Sequence, residues 1–240
     1  MELSFAPLQG LTYCTMRTVH AGLFGGADKY YAPFIAPDST GSYKVGDMRD
    51  ILPENNDGIA LVPQILANNP EAFISVADEL SVMGYKEINL NVGCPSGTVF
   101  AKHKGSGMLT DLNSLDSFLD TVFSRCSMKI SIKTRMGVSD TEEFGKMLEI
   151  YNKYPVYQLA IHARSRNGMY RSVPDKAAFS KALQNTSIPV IYNGNIFHVS
   201  DADEIANLSP SVHGLMIGRG ACRDPSVFRQ IRGGSKADIK

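Results

Sequence analysis

The stretch "NPEAFISVADELSVMGYKEINLNVG", residues 69–93, contains a helix pattern followed directly by a strand pattern. Asn69 is a suitable N-cap, Pro70 suits the first helical turn, and Gly84 suits the end of the helix. Apolar residues recur between them at helical spacing, at Ala72, Phe73, Val76, Ala77, Leu80 and Met83. The segment "EINLNVG", residues 87–93, alternates apolar and polar side chains as a strand does. The stretch therefore predicts one helix–strand unit of an α/β protein.

Similar β-rich apolar segments recur along the chain at intervals of roughly 25 to 40 residues, the period of a strand–helix unit. The eight predicted strands are residues 3–8, 29–34, 59–65, 87–93, 129–134, 158–164, 189–195 and 214–220. Further helical patterns occupy residues 111–126, 140–154, 176–183 and 201–208. The segment after residue 34 is only partly helical. Several strands are near-continuous apolar runs, which is typical of a parallel sheet covered on both faces.

Eight alternating units predict a (β/α)8 barrel over residues 1–232, followed by a flexible polar tail at residues 233–240. A doubly wound open sheet is the main alternative. Such a sheet normally carries a glycine-rich dinucleotide turn after its first strand, and "APLQGLTYC", residues 6–14, lacks that pattern. The barrel is therefore the preferred fold.

The composition narrows the class of protein. Hydrophobic residues make up 43% and charged residues 20%, which fits a folded globular protein. The net charge is zero, so any nucleic-acid-binding surface must come from local clustering of cations. The four cysteines form no C-x-x-C pair, which argues against a zinc site and a disulfide framework and suits a reducing cytosol. The N-terminus has no signal-peptide pattern and no apolar run is long enough for a membrane span, so a cytoplasmic location is expected.

Polar residues gather at the carboxyl ends of the predicted strands, which is where barrel proteins of this kind have their active sites. The residues at these ends are Gln64, Asn91, Cys94, Lys133, Arg135, His162, Arg164, Arg166, Asn193, Asn195 and Arg219. A chance scatter of polar residues would not favour one end of each strand. The pattern predicts a functional site at this end of the barrel.

Two glycine-bearing turns follow the last two strands, "NGN" at residues 193–195 and "GRG" at residues 218–220. Barrels often bind a phosphate at this place through backbone N–H groups and a short helix. Ordinary turns that need a positive φ are the alternative. The occurrence of both turns after the seventh and eighth strands favours phosphate binding.

Three side chains in this set have the strongest chemical interest. Lys133 would be costly at the inner end of a strand unless it pairs with a ligand or a carboxylate, although a lysine can also extend to solvent. His162 is either a ligand contact or a structural residue. Cys94 lies in the turn "GCP", before a glycine-rich basic loop that could close over a ligand. The residues alone leave Cys94 open as an acid, a nucleophile or a packed thiol, whereas Cys14 and Cys126 are predicted to pack in the core.

Five motifs resemble, in the same order, those of the tRNA dihydrouridine synthases. They are "LNVGCPS" (90–96), "IKTRMG" (132–137), "IHARSRNGMY" (161–170), "YNGNI" (192–196) and "GLMIGRGACRDP" (214–225). The segments "APLQGLT" and "VPQI" are similar to the ends of the family's first and third strands. The resemblance covers nearly the whole chain, and the set is specific although each motif alone is weak.

The resemblance implies an FMN-dependent barrel that reduces the C5=C6 bond of uridine in tRNA, with NADPH as the electron donor. It also implies a role for each matching residue. Contacts to the flavin would come from Pro7, Leu8, Gln64, Lys133 and His162, and those to its phosphate from Asn193, Gly194, Asn195, Gly218 and Arg219. Asn91 would help to hold the uracil, and Cys94 would donate the proton to C5. The residues facing RNA or the flavin edge would be Arg135, Arg164 and Arg166.

Three departures from the family pattern are visible. The helical domain that usually follows the barrel and grips tRNA is expected to be absent, and "NGN" and "HARSR" replace the usual "NGD" and "HGR-R". A basic barrel mouth would still bring RNA to the site, through Lys102, Lys104, Arg135, Arg164, Arg166 and Arg171. The alternatives are an FMN barrel oxidoreductase acting on a free pyrimidine, like a dihydroorotate dehydrogenase, and a non-catalytic RNA-binding barrel.

Overall fold

The computed structural model describes residues 1–238, and its strands form a closed parallel barrel. The strands are β1 Glu2–Phe5, β2 Lys29–Tyr31, β3 in two pieces at Leu61–Val62 and Gln64–Ile65, β4 Glu87–Val92, β5 Lys129–Arg135, β6 Leu159–His162, β7 Val190–Asn193 and β8 Gly214–Ile217. β1 pairs with β8 from Glu2↔Gly214 to Phe5↔Ile217, which closes the barrel. Pro63 interrupts β3 because it has no N–H to donate. The predicted (β/α)8 barrel is confirmed.

Helices follow the strands, and the longer ones cover the outside of the barrel. The helices are α1 Cys14–Leu23, α2 Val45–Ile51, α3 Pro70–Val82, α4 Gly97–Phe100, α5 Leu112–Arg125, α6 Phe144–Tyr151, α7 Lys176–Leu183, α8 Val199–Leu208, α9 Arg219–Arg223 and α10 Val227–Ile231. The predicted cap of α3 is present, because the Asn69 side chain accepts a hydrogen bond from the N–H of Ala72. Gly84 has a φ of 95°, which ends this helix in a conformation that glycine adopts readily.

Several predicted strands extend too far at their carboxyl ends. The structure ends β1 at Phe5, β7 at Asn193 and β8 at Ile217, and Arg219 begins α9 instead of closing a strand. The apolar pattern continues past the last ladder hydrogen bond because the turns that follow are also packed against the barrel. The stretch after Cys94 also differs from the expected loop. It contains regular secondary structure, namely α4 and a 3-10 turn at Gly105–Thr110.

The barrel interior divides into layers that place the site. Residues paired on adjacent parallel strands lie on the same face of the sheet, so every second residue of each strand is inside. The middle of the interior is filled by Ala6, Tyr31, Val62, Ala160, Ile191 and Met216. Above this apolar layer the inward positions become polar at the carboxyl ends of the strands. The larger apolar core lies outside the barrel, between the strands and the helices.

The remaining sequence predictions concern the cysteines and the chain end. Cys126 is half-buried and packs against the outer core, and Cys14 is half-buried at the start of α1. In the predicted tail, the N–H of Ala237 donates to Ser226 Oγ at 3.0 Å, and residues 239 and 240 lie outside the described part. Within residues 1–238, no helix combines the length and the apolar character that a membrane crossing needs.

Candidate active site

The barrel mouth brings together side chains from five strands. Asn91 on β4 pairs in register with Lys133 on β5, and His162 on β6 pairs with Asn193 on β7. Gln64 on β3 joins them, because its Oε1 accepts a hydrogen bond from Asn91 Nδ2 at 2.7 Å. These five residues, which lie far apart in sequence, therefore form one polar layer.

The turn at Cys94 is held on both sides. Asn91 Oδ1 accepts hydrogen bonds from the N–H groups of Gly93 at 3.0 Å and of Cys94 at 2.9 Å. The carbonyl of Cys94 accepts from the N–H and the hydroxyl of Ser106, at 3.1 and 2.7 Å. Gly105 has a φ of 56°, and a Cβ there would lie 2.9 Å from Cys94 Cβ. The half-buried thiol is therefore set in place by the loop that follows it.

The ammonium group of Lys133 has no carboxylate partner among residues 1–238. Its desolvation, reinforced by the neighbouring Arg135, lowers the pKa of the ammonium group to about 8, while Cys94 acts in the opposite direction. An unpaired ammonium in such surroundings is costly. Pairing with a protein carboxylate is not found among these residues, and pairing with a ligand stays a prediction. Because Lys133 is only half-buried, extension of its side chain to solvent stays the alternative.

His162 is a neutral hydrogen-bond donor at the mouth. Burial holds its pKa well below 6.5, and the cations Lys133, Arg135, Arg164 and Arg219 lower it further, in that order. Arg164 Nη1 lies 2.8 Å from His162 Nε2, and a guanidinium can only donate. The Nε2 atom is therefore the acceptor, and Nδ1 carries the proton of the neutral ring.

Arg135 and Arg164 are buried, each 1% exposed, and they fasten loops to the barrel. Arg135 Nε donates to the carbonyl of Gly93 at 3.1 Å, and its Nη1 donates to that of Ser165 at 2.9 Å. Arg164 Nε donates to the carbonyl of Ser172 at 2.8 Å. Several of their donors are thus used inside the protein, and the expectation that these two side chains face RNA stays a prediction. A place near the flavin edge stays a prediction for both.

Arg166 is only half-buried, and its guanidinium lies over the ring of Phe100 with the two groups 4.2 Å apart. Its Nε atom is buried without a hydrogen-bond partner within residues 1–238. Phe100 belongs to α4, so this stacked pair connects the loop after Cys94 with the loop after β6. Of the three predicted arginines, Arg166 alone keeps the partial exposure that an RNA contact requires.

The two glycine turns pack against each other, and none of their glycines has a positive φ. A Cβ at Gly194 would lie 2.3 Å from Tyr192 Oη, and one at Gly220 would lie 1.9 Å from the carbonyl oxygen of Ile196. Close packing, rather than backbone conformation, therefore requires glycine here. Pro7 and Leu8, both half-buried, follow β1 beside Gly218, and a Cβ at Gly218 would lie 3.4 Å from a Leu8 methyl group.

Asn195 joins the two turns to the cationic side chains around them. Its Oδ1 accepts from Arg164 Nη2 at 2.9 Å and from Arg219 Nη2 at 2.8 Å. Asn193 Nδ2 donates to the carbonyl of Met216 at 2.7 Å, which ties the end of β7 to β8. Arg219 is exposed, so this cluster presents a cation beside closely packed backbone. Such an arrangement suits an anionic group, and phosphate binding there stays a prediction.

Aromatic residues at the mouth were missed by the sequence interpretation. Tyr170 is 47% exposed, and its ring lies 4.6 Å from the guanidinium of Arg219 and 5.5 Å from that of Arg135. Phe100 and Phe197 make similar contacts with Arg166 and Arg219. A signal was available, because Tyr170 ends a motif that contains two arginines. Only the fold shows that these rings and cations are neighbours.

A cavity of about 820 Å³ lies elsewhere, between α6 and α7 on the outside of the barrel. It contains none of the predicted site residues, and Lys181 is the one cation among its lining residues. No cluster of three or more His, Cys, Asp or Glu side chains suited to a metal ion occurs within residues 1–238. The concentration of cations, amides and a thiol makes the barrel mouth the candidate active site.

The fold is that of a (β/α)8-barrel protein, with the candidate active site at the carboxyl ends of its strands. Solved structures of the same fold include a variant of NCR from Zymomonas mobilis, with a TM-score of 0.67, 11% identity and coverage of 99% of this chain and 88% of that one. Another is N-(5'-phosphoribosyl)anthranilate isomerase from Pyrococcus furiosus, with a TM-score of 0.56, 13% identity and 96% coverage of both chains. At these identities the likeness concerns the fold alone.

The chain belongs to the dihydrouridine synthase (Dus) family, whose model matches residues 4–239. It is 30% identical to tRNA-dihydrouridine synthase B of Shewanella oneidensis over 177 residues, covering 73% of this chain and 54% of that protein. It is 28% identical to tRNA-dihydrouridine(16) synthase of Ralstonia nicotianae, covering 97% of this chain and 73% of that protein. The chain spans about half the length of the first relatives that it matches, 54% and 44%.

Proposed function

We propose that this protein reduces uridine in tRNA to dihydrouridine, with FMN as its bound cofactor and NADPH as the electron donor. One observation carries the proposal: the half-buried thiol of Cys94, on a backbone turn held by Asn91, shares one barrel mouth with the ammonium group of Lys133, which has no carboxylate partner among residues 1–238. Membership of the Dus family supports it, as do the names of the relatives. The four free cysteines suit a reducing compartment, so we place the reaction in the cytosol.

The residues at the mouth fit FMN. Lys133 and His162 offer hydrogen-bond donors to the electron-rich edge of a flavin ring, and Gln64 has an amide N–H beyond the one that it already uses. Arg219 and the turns at Gly194 and Gly218 suit the phosphate. When bound and reduced, FMN supplies a hydride for C6 of the uracil. The contribution of the protein is to orient the two rings and to stabilise negative charge.

Cys94 is the proposed source of the proton that C5 of the uracil needs after hydride addition. The hydrogen bonds from the Gly93 and Cys94 N–H groups to Asn91 fix the direction in which the turn leaves β4. Cys94 raises the pKa of Lys133, although desolvation lowers it more. The ammonium group and the thiol are therefore close enough to interact. The position of Cys94 at the mouth therefore supports its role as the acid. Asn91 is the residue that holds the Cys94 turn in place.

RNA would approach over the exposed cations around the mouth. Lys102 follows α4 and Arg171 follows β6, and both side chains are exposed. Lys104 is half-buried and donates to the carbonyl of Pro37 at 2.6 Å, so it is less free to contact a phosphate. The target uridine must leave its stack to enter the barrel, at a cost of a few kcal/mol. Exposed aromatic rings such as Tyr170 suit an unstacked base.

The purified protein is expected to be yellow and to release about one FMN per chain on denaturation, because the mouth offers donors that a flavin would satisfy. Loaded with FMN and given NADPH, it is expected to form dihydrouridine in unmodified tRNA, measured by mass spectrometry of the nucleosides. Failure to retain or take up any flavin contradicts the proposal. Reduction of a free pyrimidine alone favours the dihydroorotate dehydrogenase-like alternative.

Replacing Lys102 and Arg171 with alanine is expected to weaken tRNA binding and to flatten its dependence on salt, by about one unit of slope for each phosphate that the protein no longer neutralises. Fluorescence anisotropy over a series of salt concentrations measures this slope. The matched control replaces Lys86 and Lys129, two exposed lysines at the opposite end of the barrel, so the change in net charge is the same. Equal effects of the two double variants would place the RNA surface elsewhere.

A further inference from the structure

Four buried side chains form a continuous set of hydrogen bonds inside the barrel. Asn89 Nδ2 donates to Ser131 Oγ at 3.0 Å, Gln64 Nε2 donates to Asn89 Oδ1 at 2.7 Å, and Asn91 Nδ2 donates to Gln64 Oε1 at 2.7 Å. We call Ser131, Asn89, Gln64 and Asn91 the amide network. It begins below the mouth and ends at the turn that carries Cys94.

Both ends of the amide network bond to the backbone. Ser131 Oγ donates to the carbonyl of Ile88 at 3.3 Å, so this hydroxyl must accept the hydrogen bond from Asn89. At the other end, Asn91 Oδ1 accepts from the N–H groups of Gly93 and Cys94. Backbone groups cannot exchange donor for acceptor. Each amide in between is therefore held in one of its two orientations from both directions.

Burial makes this orientation costly to change. Asn89 is 0% exposed, and Ser131 and Gln64 are each 1% exposed, so no solvent can replace a lost partner. Turning one amide over would place two donors or two acceptors opposite each other in a low-dielectric interior. The orientation of each amide is therefore fixed along the whole network, from Ser131 on β5 to Asn91 at the end of β4.

We propose that Asn89 and Ser131 are positioning residues, which set the orientation of Gln64 and Asn91 and thereby the place of Cys94. Both lie in the barrel interior below the mouth, and their contacts in the amide network are with protein groups. Their importance for catalysis rests on the proposed function, but their effect on the turn does not. The turn can therefore be tested without any turnover measurement.

Hydrogen exchange of the Gly93 and Cys94 N–H groups, measured by NMR on the purified protein, reports on the turn directly. Asn89→Leu and Ser131→Ala are each expected to accelerate this exchange about three- to tenfold, as the loss of one net buried hydrogen bond predicts. The matched control is Ser4→Ala, since Ser4 is also a buried, inward-facing serine whose hydroxyl bonds outside the network, to Glu2. This control is expected to leave the exchange of both groups unchanged.

Asn89→Asp is expected to restore slow exchange. A protonated carboxyl group offers one donor and one acceptor, as the amide does, and burial favours the protonated form. Restoration by this variant supports a role for the hydrogen bonds themselves, whereas a purely packing role predicts that Asp and Leu behave alike. If Asn89→Leu does not fold, Ser131→Ala compared with Ser4→Ala decides the question.

Unchanged exchange at Gly93 and Cys94 in Ser131→Ala overturns the inference, and so does equal acceleration in Ser4→Ala. Accelerated exchange limited to the network variants supports it. The proposed function fails separately, when wild-type protein loaded with FMN forms no dihydrouridine. In that case, accelerated exchange in the network variants would still establish the amide network as the support of the Cys94 turn.

Discussion

Cys94→Ala is expected to slow the reduction of uridine by about 10²- to 10⁴-fold, the usual contribution of a positioned general acid. FMN content and the reaction with NADPH should stay near wild type, because the thiol is needed only when a proton must reach C5. Stopped-flow oxidation of the reduced protein by substrate tRNA isolates this step. The backbone bonds of Cys94 to Asn91 and Ser106 do not involve the thiol, so the turn should survive the substitution.

A packed thiol without a catalytic role predicts a different result. Cys94→Ala would then lower the free energy of unfolding while turnover per folded molecule barely changed. Cys126→Ala is the matched control, since Cys126 is also half-buried and packs against the outer core, away from the mouth. It is expected to affect stability alone. Reoxidation of the Cys94→Ala protein at the wild-type rate would show that another group donates the proton.

Lys133→Met is expected to weaken FMN binding by about 10- to 100-fold, the range for losing a hydrogen bond to a charged group. Methionine keeps much of the apolar stem of lysine and removes the ammonium group. Titration of the flavin-free protein, followed by flavin fluorescence, measures the change. The control is Lys129→Met on the same strand, because Lys129 is exposed at the opposite end of the barrel and lies over the ring of Tyr157.

The lowered pKa of Lys133 also gives the FMN affinity a pH dependence. In the ligand-free protein the ammonium form predominates below about pH 8 and is lost as the pH rises through that value. A ligand that prefers the cation should therefore bind progressively more weakly above about pH 8. Wild type and Lys129→Met are expected to share this decline, and Lys133→Met is expected to lack it. A pH dependence that persists in Lys133→Met would assign it to another group.

The order and type of the elements could be predicted because their signals are local. The cap at Asn69 and the apolar spacing of α3 need no knowledge of the rest of the chain. The gathering of polar residues at one barrel end followed from strand polarity, which is also a local property. Strand ends were less accurate, since the residues after β1, β7 and β8 stay packed although the ladder hydrogen bonds have stopped.

The burial of Arg135 and Arg164 could not be predicted, because arginine is usually exposed and their acceptors are carbonyls 30 or more and 8 residues away, respectively. The amide network was invisible for a similar reason. Asn89 and Ser131 appear in sequence as polar positions of alternating strands, and their pairing depends on the register between β4 and β5. Long-range register is the information that single-sequence patterns lack.

The pairing of β1 with β8 affects the protein while it is being made. β1 leaves the ribosome before the other strands of the barrel, and one of its two neighbours is not translated until residues 214–217. For most of elongation the growing polypeptide therefore exposes an open edge, which is prone to associate with other chains. Truncated products that lack residues 214–217 would keep this edge open, so we expect them to associate with other chains more readily than the complete protein does.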